Sequence, residues 1–300
     1  MRALVTGATG FVGTYLVQHL QERGDEVCGI DRERDVTDEA AVHEVFEQFR
    51  PDVTYHLAAL THVGDSWKHA EEFTRVNVVG TQRVLDAAFE VAPDSTTIVV
   101  SSSEVYGIVS EADQPLRESF RVAPANPYSS SKVEAERVAR DAWTMRRQRV
   151  VIARPFNHVG PGQSPTFVVP ALATRLLDAK ESGAIEIRVG DLSTRRDFSD
   201  VRDVVRAYRL LAEFGVAGEV YNVASGHDVA LSDIAQRLVE RIAPNVKLVV
   251  DPELLRPNEV PVFRGSYEKL NVVTGWSPLI TLDVSLTDVV ADLAERRRLR

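Results

Sequence analysis

Tyr128 and Lys132, four residues apart in the run Tyr128-Ser129-Ser130-Ser131-Lys132, fall on one face of any helix that contains them. A tyrosine hydroxyl titrates near about 10, too high for ready proton exchange at neutral pH, but a neighbouring positive charge stabilises the phenolate. The pair therefore reads as a proton donor or acceptor with its electrostatic helper. Upstream, Ser101-Ser102-Ser103-Glu104 closes a short apolar run. A serine hydroxyl at such a strand end can hold the carbonyl oxygen that Tyr128 protonates. A tyrosine and a lysine one turn apart are common on helix surfaces, so their neighbours must decide whether they form a site.

The first of those neighbours is a turn. Gly7-Ala8-Thr9-Gly10-Phe11-Val12-Gly13 links an apolar run at 3–6 to a segment with Val12, Leu16 and Leu20 at four-residue spacing. Glycines permit the tight turn, the approach of backbone to a pyrophosphate and the close packing of helix on strand, while free N–H groups at the helix start attract anionic oxygens. Gly7, Thr9, Gly10, Phe11, Val12 and Gly13 are accordingly candidate contacts to a dinucleotide. Asp31 ends the second strand, where a carboxylate accepts hydrogen bonds from an adenosine ribose, as for NAD; the alternative is a plain turn aspartate. Arg32 beside it suits the extra phosphate of NADP, so the cofactor reads as NAD(P)H with a slight lean to NAD(H). Asp35 and Val36 follow as candidate adenine contacts.

The elements that must position these groups are legible as a rhythm. Strand-like runs at 3–6, 26–30, 53–57, 97–101 and 149–153 alternate with helical segments, the longest at 126–147 entered through Asn126 and Pro127. This predicts an α/β fold, a Rossmann-like doubly wound parallel sheet, over 1–155. After Arg154 the pattern shifts to helices at 168–180, 201–213 and 231–242 and strands at 185–189, 219–223 and 246–250. A smaller α/β substrate-binding domain is expected over 156–300, with some segments returning to the first. Residues 107–125 lack a period and read as a long loop over a cleft.

Composition narrows the class. At about 150 residues per domain, 300 residues make two domains or one large one. A net charge of −9 with 44% apolar residues excludes a disordered chain and a generally basic nucleic-acid binder. No run approaches the roughly 18 apolar residues of a membrane span. Cys28 is the only cysteine, and the opening MRALVTGATG carries glycines where a secretion signal needs an apolar core, so a reducing cytoplasm is expected. His56, His62 and His69 lack metal-ligand spacing, and no metal is expected. The terminal Arg296, Arg297, Arg298 and Arg300 read as cations ending a helix, with a docking tail as the alternative.

The Gly-x-x-Gly-x-x-Gly turn, SSSEVYG at 101–107 and YSSSK at 128–132 together resemble the extended short-chain dehydrogenase/reductase family of nucleotide-sugar enzymes, over nearly the whole chain. The resemblance implies that Ser102, Tyr128 and Lys132 are catalytic. It implies that Leu57, Ala58, Ala59, Asn77 and Pro155 line the cofactor. RPFNHVGPGQ at 154–163, RDFSDVRD at 196–203, VYNVASG at 220–226 and RPNEV at 256–260 resemble the GDP-4-keto-6-deoxy-mannose reductase branch, with GDP-mannose 4,6-dehydratases nearby. It follows that Ser103, Glu104, Asn157 and Val168 meet the substrate and that Arg196 and Arg256 grip its diphosphate, a task suited to guanidinium forks. For Arg196 a surface salt-bridge network is the alternative.

The implied activity is NAD(P)H-dependent reduction of the C4 ketone of GDP-4-keto-6-deoxy-D-mannose, to GDP-D-rhamnose or its C4 epimer. Glu104 points the other way, since dehydratases use a glutamate there to remove a proton; a dehydratase or 4-epimerase with recycled cofactor is therefore the alternative. The short length, the GATGFVG turn and the GPGQ segment favour the reductase. A non-catalytic dinucleotide sensor is the remote alternative, because such proteins generally lose the tyrosine and lysine. The family also implies a homodimer through four helices, two per subunit at 79–91 and 126–147, with Val84, Leu85 and Ala88 as compatible apolar positions. The guanine base rests on resemblance alone.

Overall fold

Apolar runs alternating with helical segments close into a doubly wound sheet, because each crossover helix buries its apolar stripe against the strands it connects. The structure is a computed structural model describing residues 1–254 and 260–299. Its strands are β1 (Arg2–Thr6), β2 (Glu26–Ile30), β3 (Val53–His56), β4 (Thr96–Val100), β5 (Val150–Pro155), β6 (Asn157–Val159), β7 (Glu186–Val189), β8 (Arg195–Asp200), β9 (Val220–Val223), β10 (Asp228–Ala230), β11 (Lys247–Val250) and β12 (Val262–Phe263). Its helices are α1 (Phe11–Glu22), α2 (Glu39–Phe49), α3 (Val63–Ser66), α4 (Ala70–Thr74), α5 (Gly80–Val91), α6 (Pro127–Arg146), α7 (Val168–Ser182), α8 (Val201–Phe214), α9 (Leu231–Ile242), α10 (Glu268–Thr274) and α11 (Leu282–Arg298).

The main sheet has six parallel strands in the order β2-β1-β3-β4-β5-β9. Strand order reverses between β1 and β3, which opens a crevice at their carboxyl ends, the place where open α/β sheets take ligands. On one face Leu16 and Leu20 of α1 and Val204, Tyr208 and Leu211 of α8 cover Ala3, Val5, Tyr55, Ile98 and Tyr221. On the other, Val42 and Phe46 of α2 and Val84 and Ala88 of α5 cover Leu4 and Ile30, while Val138 and Ala139 of α6 cover Val99 and Ile152. The second half thus supplies β9 and α8 to this sheet. The rest of that half builds a smaller sheet, β10-β8-β12 with β6 also paired to β8, and a separate β7–β11 pair. A second core lies where α7, α9 and α11 meet, around Leu172, Leu176, Ile234, Leu238 and Val289.

The forecast runs of the first half fall on β1 to β5 with ends displaced by one or two residues, and the three forecast helices of the second half fall on α7, α8 and α9. β8 escaped the pattern because its sequence, RRDFSD, has no apolar alternation: Asp197 and Asp200 are buried there and satisfied by hydrogen bonds. Residues 107–125 are less free than a periodless loop suggests, since Leu116 is fully buried and its N–H donates to the Arg264 carbonyl across 2.9 Å. Val84, Leu85 and Ala88 all face the sheet, so they do not supply a subunit contact. Among the described residues no helix is long and apolar enough to cross a membrane, and no group of His, Cys, Asp and Glu is placed to hold a metal ion.

Candidate active site

The glycine turn has the shape that a pyrophosphate needs. Gly7 sits at φ +71°, and a Cβ there would stand 2.9 Å from the Ala58 nitrogen; a Cβ on Gly13 would stand 2.0 Å from the Gly7 carbonyl oxygen. No larger residue fits either position without moving backbone. Gly10 caps α1 with no side chain, so the N–H groups of Phe11, Val12 and Gly13 have neither an intrahelical acceptor nor a capping oxygen. Those free donors at the positive end of the helix, opening on the β1/β3 crevice, fit an anionic dinucleotide.

Asp31 lies at the rim of the same crevice. Its Oδ2 accepts from the Thr9 N–H at 3.0 Å and the Thr9 hydroxyl at 2.7 Å, and its Oδ1 accepts from the Arg32 N–H at 2.9 Å. Burial works to raise its pKa, and these hydrogen bonds outweigh it and hold the carboxyl below its usual range. The Arg32 side chain is exposed and has no ion-pair partner among the described residues. Asp35 is held by the Thr37 N–H and by Arg75, and Val36 is buried beneath Gly80, so Val36 can offer a ligand only its backbone.

Asn77 is engaged by the crevice wall. Its amide nitrogen donates to the Leu60 carbonyl at 3.0 Å and to Ser131 Oγ at 2.9 Å, and its oxygen accepts from the Leu60 N–H at 2.8 Å. With both amide hydrogens committed, it clamps the Leu57–Leu60 stretch, including Ala58 and Ala59, along the crevice wall. A second chain of bonds supports that wall. The Ala58 N–H donates to Thr6 Oγ1, which bonds His56 Nδ1; His56 Nε2 bonds Thr81 Oγ1, which donates to the Asn77 carbonyl. Since Thr81 spends its one proton on that carbonyl, Nε2 must carry the imidazole hydrogen and Nδ1 must accept from Thr6. Burial holds His56 neutral by depressing its pKa to about 3.

Tyr128, Ser102 and Lys132 meet at the carboxyl end of β4. α6 begins with an Asn126 side chain that accepts from the Ser129 N–H and with Pro127 in the first turn, which fixes where Tyr128 falls. Ser102 leaves β4 and caps the short turn Ser103–Tyr106, accepting from the Glu104 N–H. Burial pushes the Tyr128 hydroxyl up to about 12; a hydrogen bond with Ser102 lowers it, and the charge of Glu104 raises it. Burial likewise lowers Lys132 to about 8, with Glu136 opposing. The lysine ammonium donates to the Val100 carbonyl at 2.8 Å. Ser103 is buried behind Ser102.

The remaining candidates sit across the crevice on the second half. Pro155 ends β5, and Asn157 opens β6 with an exposed side chain. Val168 starts α7, half-exposed, and Arg196 lies on β8, where its Nη1 donates to the carbonyls of Arg195 and Val260 at 2.9 and 2.8 Å. Arg195 and Arg264 both pair with Asp228 nearby. Arg264 carried no motif in the sequence. Arg256 lies outside the described residues. The loop after β6 closes on the glycine turn: Phe11 and His158 stack at 6.1 Å, and the Tyr15 hydroxyl donates to the Pro161 carbonyl at 2.8 Å.

Comparison with known proteins gives concordant results. The model of the NAD dependent epimerase/dehydratase family matches residues 3–224. The chain is 34% identical over 300 residues to the GDP-6-deoxy-D-mannose reductase of Pseudomonas aeruginosa, covering 99% of this chain and 98% of that protein. It is 30% identical over 318 residues to the dTDP-D-glucose 4,6-dehydratase of Mus musculus, covering 96% and 87%. The structure of RMD from Pseudomonas aeruginosa complexed with NADPH superimposes with a TM-score of 0.91 at 33% identity, covering 99% of this chain and 100% of that one.

Proposed function

Because the chain belongs to the NAD dependent epimerase/dehydratase family, we propose that it is an NAD(P)H-dependent reductase of a nucleotide sugar, converting the C4 ketone of GDP-4-keto-6-deoxy-D-mannose to an alcohol. The observation that carries this reading is the grouping of Ser102, Tyr128 and Lys132 at the carboxyl end of β4, beside a glycine turn shaped for a dinucleotide. Likeness to the GDP-6-deoxy-D-mannose reductase supplies the substrate class. Either nicotinamide cofactor fits, and the NADPH complex of RMD is consistent with Arg32 standing exposed at the crevice rim.

Bound NAD(P)H supplies the hydride that reaches C4. As that carbon is reduced, the ketone oxygen gains negative charge; the Ser102 hydroxyl donates a hydrogen bond to it and Tyr128 transfers its phenolic proton to it. The tyrosinate that remains would be stabilised by the Ser102 hydroxyl and by the charge of Lys132 one turn along α6. Gly7, Thr9, Gly10, Phe11, Val12 and Gly13 would hold the pyrophosphate, and Asp31 and Arg32 the adenosine ribose. Leu57, Ala58, Ala59 and Pro155 would line the nicotinamide half. Asn157, Val168 and Arg196 receive the sugar nucleotide, with Ser103 and Glu104 near its hexose. A dimer through the outer faces of α5 and α6 suits the exposed Phe89 and Met145 and the groove of about 530 Å³ between Trp67, Val78, Pro127 and Glu134. The half-buried free Cys28 suits work in a reducing cytoplasm.

Glu104 favours a second reading, because its charge acts on Tyr128 and a dehydratase needs such a carboxylate beside the tyrosine. One pair of assays separates the two. With reduced cofactor and the GDP-keto sugar, stoichiometric loss of nicotinamide absorbance is expected. With GDP-mannose alone, no keto sugar is expected, and its formation without net cofactor change would replace the reductase reading by the dehydratase one. Tyr128→Phe should lower kcat by about 10³-fold with cofactor affinity nearly intact. Unchanged turnover in that variant removes Tyr128 from the chemistry.

A further inference from the structure

Tyr128, Lys132 and Glu136 lie at successive turns of one face of α6, and the third of them is wholly enclosed. Glu136 and Arg154 are each 1% exposed and form a two-pronged pair, Nε to Oε1 at 2.7 Å and Nη2 to Oε2 at 2.6 Å. Ser101, the residue before Ser102, donates its hydroxyl to the same Oε1 at 2.6 Å. The third arm of Arg154 donates to the Tyr106 hydroxyl at 3.1 Å, which donates onward to Asn222 Oδ1 at 2.7 Å. Asn222 in turn donates to the Leu116 carbonyl under the 107–125 loop. One carboxylate therefore ties together the end of β4 that carries Ser102, the helix that carries Tyr128 and Lys132, and the strand that leads to Asn157.

A buried ion pair is a poor device for stability, since desolvation offsets most of its attraction, whereas its fixed geometry specifies where its neighbours stand. We propose that Ser101, Glu136 and Arg154 are positioning residues that set the alignment of Ser102 with Tyr128 and Lys132, a role resting on the reductase reading above.

Ser101→Ala tests the alignment, because it removes one tether and little volume. The expected result is a fall in kcat of about tenfold, with KM for the cofactor within twofold and the melting temperature unchanged. Glu136→Gln loosens the same tether at its other end: kcat per folded enzyme should again fall about tenfold with KM for the cofactor within twofold. A purely structural role would instead lower Tm and active fraction and leave kcat per folded enzyme unchanged. Wild-type kcat in Ser101→Ala, or in the folded fraction of Glu136→Gln, overturns the inference. Tyr128→Phe is run alongside; if it retains turnover, the reductase reading has failed and not merely the positioning one.

Discussion

At the residue scale the site is a contest between burial and hydrogen bonding. Tyr128 and Lys132 are both pulled towards their neutral forms by burial, and Ser102 and Glu136 work against that pull. Asp31 shows the opposite balance, its burial outweighed by three donated hydrogen bonds. A carboxylate that remains charged at the ribose rim repels a 2′-phosphate unless a cation offsets it, and Arg32 is the exposed cation adjoining it. Arg32→Ala should therefore raise KM for NADPH about tenfold and leave KM for NADH within twofold. Steady-state kinetics with both cofactors reads this directly, and equal effects on the two would place Arg32 away from the ribose.

At the element scale the crevice wall depends on how β1, β3 and α5 are laced together. The run from Ala58 through Thr6, His56 and Thr81 to Asn77 works only with a neutral imidazole, since Nδ1 must accept from Thr6. His56 has a folded pKa near 3, far below its ordinary value, so below about 6.5 the unfolded chain takes up a proton that the folded chain refuses. The neutral form's contribution is fully present above about 6.5 and is lost progressively as pH falls towards 3. Between pH 6.5 and 4.5 this amounts to about 2–3 kcal/mol. His56→Gln should be less stable at pH 7 yet lose less stability over that interval, as urea unfolding at the two pH values would report. Parallel slopes in the two proteins would remove His56 from the acid sensitivity.

At the scale of the whole molecule, contacts distant in sequence close the two halves on each other. Asp25 accepts from the N-terminal ammonium of Met1 at 2.8 Å and from Arg209 of α8 at 2.9 Å, joining the first strand to a helix contributed by the second half. Burial tends to raise this carboxyl, and those two cationic donors hold it below its usual range. A depressed folded pKa adds stability that is present above the unfolded value and lost as pH falls through the folded one. Asp25→Asn should cost about 2–4 kcal/mol at pH 7, and the deficit should shrink towards pH 3. Thermal unfolding across that range measures it, and a deficit independent of pH would show packing rather than charge to be at stake.

How much of this was legible follows from which interactions are local. Turn, strand and helix periods depend on neighbours within a few residues, so the glycine turn, β1 to β5, the Tyr128/Lys132 face and the regular helices of the second half could be read from residue order. β8 could not, because its buried carboxylates are tolerable only where Ser225, Gly226 and Gly265 bring donors to Asp197, and Ser285 to Asp200, from elsewhere in the chain. Nor could the side of α5 that Val84, Leu85 and Ala88 present, since an apolar stripe fits a sheet and a subunit contact equally well. Glu136 stood one turn past Lys132 in plain view, yet its partners come from elsewhere, Ser101 just past the end of β4 and Arg154 from β5. Local spacing therefore names the candidate reacting groups, while their charge states and alignment depend on burial and on donors that meet only when the chain has folded.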